Sequence, residues 1–214
     1  MMMKKVTSGL IVTLVLAGVS LAGPTVVFED DFNDEPVTGT NVTPEAWVVG
    51  GGTVDVIGEG TPWDFFPGEG YGNYIDLDGS TLQAGVLATK DAILFQAGCT
   101  YTLTFDLAGS QRWGDQLTET VTVGFVDAMG APLGMYTRER PDPFSTETVV
   151  IPGDGLYHQI FFYNMDSYDN KGALLDNVVL TEECDDPCPV PAPGAVLLGS
   201  LGAALVGFFR RRSL

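Results

Sequence analysis

The 214-residue chain predicts an all-β fold, a jelly-roll β-sandwich. Short runs of alternating apolar and polar residues follow one another, and Gly, Pro, Asp and Asn separate them, as is typical of strands joined by turns. Between the two termini, no stretch has the spacing of an amphipathic helix. The runs recur about every 8–12 residues, which favours two packed antiparallel sheets.

The clearest predicted strand is Thr100–Leu107. Its apolar residues alternate with Thr and Asp, so one face is buried and the other faces water. The residues expected to point inward are Tyr101, Leu103, Phe105 and Leu107. The predicted strands are Thr25–Glu29, Ala46–Val49, Thr53–Ile57, Asn73–Leu77, Gly85–Phe95, Thr100–Leu107, Glu119–Val126, Pro132–Thr137, Ser145–Ile151, Tyr157–Asn164 and Leu174–Thr181.

Residues 1–22 have the pattern of a secretory signal peptide. Lys4 and Lys5 precede the apolar stretch Leu10–Val19, and small residues follow at the cleavage positions. We expect cleavage after Ala22, which leaves Gly23 as the mature N-terminus. The alternative is an uncleaved N-terminal anchor.

The C-terminus consists of a Pro-rich break, an apolar run and a basic cluster. The run Gly194–Phe209 has no charge, and as a helix it would span about 24 Å, slightly less than the ~30 Å hydrocarbon core. Terminal arginines favour the cytoplasmic side of a membrane. The sequence therefore predicts one transmembrane helix over residues 194–209 and a basic cytoplasmic tail over residues 210–214.

This three-part layout resembles the PEP-CTERM sorting signal of Gram-negative and related bacteria. The matching residues are Val190, Pro191, Ala192 and Pro193 before the apolar run, and Arg210, Arg211 and Arg212 after it. Ala192 stands where the commonest form of the motif carries Glu. The resemblance implies an exosortase as partner, an inner-membrane anchor in the precursor, and delivery to the cell surface or extracellular matrix. The alternative is a permanent membrane anchor.

Between the two termini lie one predicted domain, residues 23–183, and a Cys/Pro-rich linker with the sorting motif, residues 184–193. All 28 acidic residues fall between Glu29 and Asp186, with five basic residues among them, so this part carries a net charge of −23. So acidic a surface argues against nucleic acid and anionic lipid as partners and fits divalent cations and neutral or cationic ligands. The simpler alternative is a surface kept soluble by its charge.

Three cysteines lie in a chain that is predicted to reach an oxidising compartment. Cys184 can close on Cys188, or it can reach Cys99 if their strands are antiparallel neighbours in a jelly roll. We favour the Cys99–Cys184 disulfide. A zinc site is not expected, because the chain has one histidine and no second closely spaced cysteine pair.

Four segments, taken in order, resemble the galactose-binding-like jelly rolls, which include many carbohydrate-binding modules. The segments are Phe28–Asp30, Gly72–Gly79, Ala97–Phe105 and Leu175–Leu180. The resemblance covers most of residues 26–181. It implies a noncatalytic module, often with a structural calcium ion near the chain termini.

Asp176 provides a second indication of a cation. Strand alternation places it on the same face as Val178 and Leu180, where an unpaired carboxylate would be costly. In the related modules a carboxylate here joins one from the first strand around calcium. The resemblance therefore implies a structural calcium held by Glu29, Asp30 and Asp176. The alternative is that Asp176 caps backbone amides or lies at the solvent edge.

Two aromatic-rich loops, Thr61–Tyr71 and Gln111–Asp115, are candidates for glycan binding. The C–H faces of sugar rings stack on flat aromatic side chains, and nearby carboxylates accept hydrogen bonds from hydroxyls. The ligand-binding candidates are Trp63, Phe65, Tyr71 and Trp113. The alternative is that these loops fold back and plug the end of the sandwich.

The sequence assigns no catalytic residue. Asp76 and Asp78 lie roughly 7 Å apart on one strand face, but the carboxylates of a glycoside hydrolase must flank the bond that they cleave. Alternation puts Tyr157 and Gln159 on the face opposite His158, so these residues do not form an acid–base group. We expect His158 to be an exposed strand histidine.

The sequence thus predicts an exported, exosortase-sorted surface or matrix protein whose noncatalytic β-sandwich binds polysaccharide. The alternatives are a purely structural matrix protein and a small polysaccharide-active enzyme.

Overall fold

The structure is a computed structural model that describes residues 23–81, 83–112, 118–129, 131–165 and 169–184. The predicted signal peptide, the linker beyond Cys184, the sorting motif, the membrane helix and the basic tail all lie outside these residues, as do Trp113 and Cys188. Within the described part of the chain, no helix has the length and apolar character needed to cross a membrane.

Thirteen strands make up about half of the described chain. They are β1 (Thr25–Asp30), β2 (Trp47–Gly50), β3 (Asp55–Ile57), β4 (Tyr74–Asp76), β5 (Val86–Thr89), β6 (Ile93–Phe95), β7 (Cys99–Ala108), β8 (Thr118–Phe125), β9 (Gly134–Glu139), β10 (Ser145–Pro152), β11 (Leu156–His158), β12 (Ile160–Met165) and β13 (Leu174–Cys184). A single 3-10 turn, Val126–Ala128, is the only helical element among the described residues.

The strands form two large sheets and one small one, and each pair of neighbouring strands is antiparallel. The six-stranded sheet has the order β10-β7-β13-β4-β3, and β1 also pairs with β13. The five-stranded sheet has the order β2-β5-β12-β8-β9, and β6 pairs with β11. The predicted all-β jelly-roll sandwich is confirmed.

The core lies between the two large sheets. Phe105 of β7 packs edge-on against Phe162 of β12 and Tyr136 of β9, with ring centroids 5.1 and 5.3 Å apart. Trp47 of β2 also packs against Phe162, with ring centroids 6.0 Å apart. Each buried ring of this kind contributes about 1.5–3 kcal/mol to folding. The residues predicted to face inward on β7 are all fully buried: Tyr101, Leu103, Phe105 and Leu107.

Two predicted strands are each divided into two. Gly85–Phe95 becomes β5 and β6, and Tyr157–Asn164 becomes β11 and β12. β5 pairs with β12 in the five-stranded sheet, and β6 pairs with β11 in the small sheet. Both predicted strands therefore pass from one sheet to the other at matching positions. Gln159 marks the break, since its side-chain amide donates to the backbone carbonyls of Thr89 and Lys90. The prediction of two continuous strands is wrong because strand partners, and not local alternation, end each strand.

The first residue of β7 and the last residue of β13 are joined covalently. Cys99 and Cys184 lie opposite each other in the antiparallel register of these strands, and a disulfide links them across 85 residues of sequence. This is the pairing that we favoured from the sequence, and neighbouring antiparallel strands are the reason for it.

A β-bulge interrupts β13 between Asp176 and Val179. Asn177 takes a left-handed φ of 48° there. The bulge inserts one extra residue into β13, so the residues after it point to the opposite side of the sheet from the one that simple alternation predicts. Leu175 before the bulge and Val178 after it both reach the main core. Asp176 therefore does not share a face with Val178, and the prediction from simple alternation is wrong.

Candidate ligand-binding cleft

A cleft of about 650 Å³ opens along β3, between the loops that surround this strand. Trp63 and Phe65, two of the four predicted ligand-binding residues, line it. Tyr71 is not among the lining residues, and Trp113 lies outside the described residues. The structure thus brings two of the predicted residues together at one site.

Trp63 stands at the rim of this cleft with 64% of its surface exposed. The carboxylate of the next residue, Asp64, holds the loop in shape. It accepts hydrogen bonds from the backbone N–H of Gly60 (2.9 Å) and Phe66 (3.0 Å) and from the Tyr74 hydroxyl (3.1 Å). These hydrogen bonds fix the loop at the edge of the cleft, where Trp63 stays exposed and Asp64 also lines the cleft.

The other half of the loop folds back onto the sandwich. Phe66 and Tyr71 pack against Phe144, with ring centroids 5.1 and 4.9 Å apart, and Phe66 also contacts Tyr74. This half agrees with the alternative that the loop plugs the end of the sandwich. The part of the loop with Trp63 and Phe65 instead lines the cleft.

Arg112 lines the cleft and contacts both the buried Asp76 and the ring of Phe65. Its Nη2 atom lies 2.7 Å from Oδ2 of Asp76 and 4.0 Å from Oδ2 of Asp55. Its Cζ atom lies 5.2 Å from the centroid of the Phe65 ring, a cation–π distance. Sequence reasoning missed Arg112, although only five basic residues fall within the acidic part of the chain.

The buried carboxylates beneath the cleft are used to hold the structure. Asp76 accepts hydrogen bonds from the backbone N–H of Asp78 and Gly172, besides its pair with Arg112. Burial raises the pKa of Asp76 well above its usual value, and the Arg112 charge opposes this effect. A Cβ atom on Gly172 would lie 2.3 Å from the Asp78 nitrogen, so only glycine fits. Asp76 and Asp78 are fully buried and do not face an open site.

The predicted calcium ligands occupy different environments. Glu29 is exposed, while the carboxylate of Asp30 accepts hydrogen bonds from the Phe32 backbone N–H (2.8 Å) and from Trp47 Nε1 (2.7 Å). Burial raises the pKa of Asp30, and these two hydrogen bonds oppose that shift. Since side chains alternate along a strand, Glu29 and Asp30 project to opposite sides of β1.

Asp176 is a buried carboxylate that has several negative charges near it. Burial raises its pKa to about 7, and the negative charges of Asp106, Asp31 and Asp30 add to the shift. One of its oxygens accepts the backbone N–H of Asn177 at 2.7 Å. Such a local excess of negative charge would be relieved by a divalent cation.

The carboxylates do not, however, converge as a ready-made coordination shell. Among the residues that the structure describes, Cys99, Glu182 and Cys184 form the only group of three or more His, Cys, Asp or Glu ligand atoms within 4.8 Å of one another. Two of these residues are joined in the disulfide. The residues around Asp176 therefore fit calcium by charge, and backbone oxygens would have to complete its coordination.

His158 is buried, which corrects the expectation of an exposed histidine. Its ring stacks on Phe125 at 4.0 Å, and its two nitrogens lie 3.0 Å from Asp127 and 2.9 Å from Asp154. Its neighbour Tyr157 is 67% exposed, as strand alternation requires. The prediction failed because it did not include the two turns that bring these aspartates to the ring.

The chain is similar to known proteins in solved structures only, and not in family models or curated sequences. A scan against protein-family models and a search of curated proteins found no match. The chain is similar to a cyclase from Fischerella sp. TAU, with a TM-score of 0.50 and 14% identity, over 76% of this chain and 100% of that one.

Two carbohydrate-binding modules are also similar to the chain. The CBM22-1 xylan-binding domain of Paenibacillus barcinonensis Xyn10C has a TM-score of 0.48 and 13% identity, over 78% of this chain and 99% of that one. The C-terminal CBM6 of the laminarinase LamC from Zobellia galactanivorans has a TM-score of 0.40 and 11% identity, over 72% and 98%. At these identities a likeness concerns the fold alone, so the function of this chain has to be argued from its own site.

Proposed function

We propose that this protein binds polysaccharide in the cleft beside Trp63 and performs no chemistry on it. The exposed indole of Trp63 at the rim of an open cleft carries the proposal. A flat aromatic ring offers the C–H face of a sugar both apolar area and a fixed orientation. The volume of about 650 Å³ lies within the range of small-ligand sites, roughly 300–1,000 Å³.

Polar groups beside the indole match the hydroxyls of a sugar. Thr38, which also lines the cleft, offers a hydroxyl, and Arg112 has further N–H donors besides the one directed at Asp76. Arg112 is held by Asp76 and by the Phe65 ring, so little of its freedom is lost when a ligand binds. Binding without catalysis is further supported by the burial of Asp76 and Asp55 in structural hydrogen bonds.

A glycan-binding assay on the purified full chain tests the proposal. We expect Trp63→Ala to weaken binding at least about tenfold, since truncation of a central aromatic contact typically costs about 2 kcal/mol or more. Tyr157→Ala is the matched control, because Tyr157 is equally exposed but does not line the cleft. Retention of full affinity by a folded Trp63→Ala variant, or failure of the natural chain to bind any glycan, would overturn the proposal.

We further propose that the protein is exported and sorted by an exosortase-type enzyme. The signal-peptide pattern of residues 1–22 and the tail from Val190 to Arg212 support this. The Cys99–Cys184 disulfide also fits an oxidising compartment. The precursor would be anchored in the inner membrane by residues 194–209 before it reaches the cell surface or extracellular matrix.

The mature mass and location of the protein test this route. We expect the intact chain to lose its N-terminal 22 residues and the segment after the motif, and to appear at the surface or in the matrix. A chain without residues 190–214 should be exported but not processed again. A mature protein that begins at Met1 or retains Arg212 would contradict the route.

We also propose a structural calcium ion held by Asp30 and Asp176, with the remaining oxygens from the backbone. Glu29 would take part only by turning from its exposed position on β1. Bound calcium would neutralise the excess negative charge and tie β1 to β13, the first and last strands of the described chain.

A further inference from the structure

The charges around the cleft restrict the kind of sugar that it can hold. Among the residues that the structure describes, the charged ones that line it are Asp55, Asp64 and Arg112. The Arg112 guanidinium already lies near two carboxylates, 2.7 Å from that of Asp76 and 4.0 Å from that of Asp55. The described part of the lining therefore carries a net negative charge, and Asp64, which follows Trp63 in the chain, belongs to it.

Asp64 retains room for one more hydrogen-bond donor. Its Oδ1 accepts from Phe66 and Tyr74, and its Oδ2 accepts from Gly60. A carboxylate offers about four lone-pair sites, so one site on Oδ2 has no donor among the residues that the structure describes. An ammonium group is the donor that gains most there, because its hydrogen bond to a carboxylate is charge-assisted.

Two further features favour a cationic ligand. The face of an indole attracts an ammonium ion through its quadrupole, and the exposed indole of Trp63 lines the same cleft as Asp64. The part of the chain between Glu29 and Asp186 carries a net charge of −23, and clefts concentrate such a field. A sugar with a carboxylate or sulfate would be repelled by the same field.

Building on the proposed polysaccharide binding, we infer that the cleft of Trp63 and Asp64 selects glycans that carry free amino groups, such as polymers of glucosamine. The sugar ring stacks on Trp63 and its ammonium group donates to Oδ2 of Asp64. Neutral glycans stack on the same ring with lower affinity, and polymers of uronic acids are excluded.

Three hexamers of equal length test the inference by titration calorimetry on the purified full chain. They are hexamers of glucosamine, of N-acetylglucosamine and of galacturonate, at a pH below the pKa of the free amine. At low salt we expect the glucosamine hexamer to bind roughly threefold to tenfold more tightly than its acetylated counterpart. Added salt should remove that advantage, and the galacturonate hexamer should not bind.

A pair of variants at Thr40, an exposed residue of the cleft lining, isolates the charge. Thr40→Lys adds a positive charge, and Thr40→Gln is its uncharged control of similar length. We expect the preference for the glucosamine hexamer over the acetylated hexamer to be smaller in Thr40→Lys than in Thr40→Gln.

The outcomes separate this inference from the proposal on which it rests. If the acetylated hexamer binds with a dependence on Trp63 and the glucosamine hexamer binds no better, polysaccharide binding stands and amine selection is overturned. If none of the hexamers nor any other glycan binds, both are overturned. An equal preference in the two Thr40 variants would also contradict a role for charge.

Discussion

The Arg112 guanidinium lies 2.7 Å from the Asp76 carboxylate, and Asp76 is fully buried while Arg112 keeps 22% of its side chain exposed. The two residues are 36 positions apart in sequence. Their pair neutralises a charge that burial makes costly, and it positions the guanidinium against Phe65 in the wall of the cleft. The same contact therefore supports both the fold and the candidate site.

Removal of the Arg112 charge should destabilise the protein. Arg112→Met keeps the length of the side chain but leaves Asp76 buried without its partner, so we expect a loss on the order of 3 kcal/mol in the free energy of unfolding. Urea denaturation at neutral pH measures it. The double variant Arg112→Met with Asp76→Asn should recover part of the loss, because no uncompensated charge remains. Equal stability of the single variant and the natural chain would contradict this account.

The buried histidine predicts a pH dependence of stability. Burial by itself lowers the pKa of His158, but the hydrogen bonds and charges of Asp127 and Asp154 outweigh it and raise the pKa above 6.5. The resulting stability is fully present below 6.5, the unfolded value, and is lost as the pH rises through the higher folded value.

We expect the free energy of unfolding of the natural chain to fall between about pH 6 and pH 8 by up to ~1 kcal/mol more than that of His158→Gln. Asp176 titrates in the same range, so the difference between the two proteins, and not the fall itself, reports on His158. Parallel stability curves for both would rule out the effect.

The disulfide between β7 and β13 should contribute strongly to stability. It connects residues 85 positions apart, and a bond that closes so long a loop restricts the unfolded chain. We expect the double variant Cys99→Ser with Cys184→Ser to lose about 2–5 kcal/mol in guanidinium unfolding. Cys188→Ser should unfold like the natural chain. A loss of stability in Cys188→Ser instead would indicate another pairing.

Substitution of Asp176 tests the proposed calcium site, because it should raise stability in EDTA and abolish the stabilisation by calcium. Its pKa, raised to about 7, means that the stability it contributes is present below 3.8 and is lost as the pH rises through about 7. In EDTA at about pH 8, Asp176→Asn should therefore be more stable than the natural chain by on the order of 2 kcal/mol. Calcium should raise the melting temperature of the natural chain and leave that of the variant unchanged. No response of the natural chain to calcium would count decisively against the site.

Local pattern was enough to place most strands, because alternation and turn residues act within a few positions. It failed where a neighbour elsewhere in the chain decided the outcome. The break at Gln159 exists because β11 and β12 have different partners. The bulge at Asn177 reverses the facing of β13, and no period-two pattern reveals a left-handed residue.

The candidate site was predictable only in part for the same reason. An aromatic-rich loop is visible in the sequence, and two of its rings, Trp63 and Phe65, line the cleft. Which of its rings would remain exposed depends on Phe144, which packs against Phe66 and Tyr71 from a distant loop. Arg112 carried no local signal, because its role comes from Asp76.

The sequence by itself determined the all-β class, the acidic character between the two termini and the inward face of β7, since each depends on composition or on the order of adjacent residues. Only the tertiary structure decided that Trp63 stays exposed while Tyr71 packs inward, that His158 is buried between two aspartates, and that Arg112 neutralises Asp76. Each of these depends on which distant segments become neighbours. A contact between distant segments produces no periodic pattern of residues in the sequence.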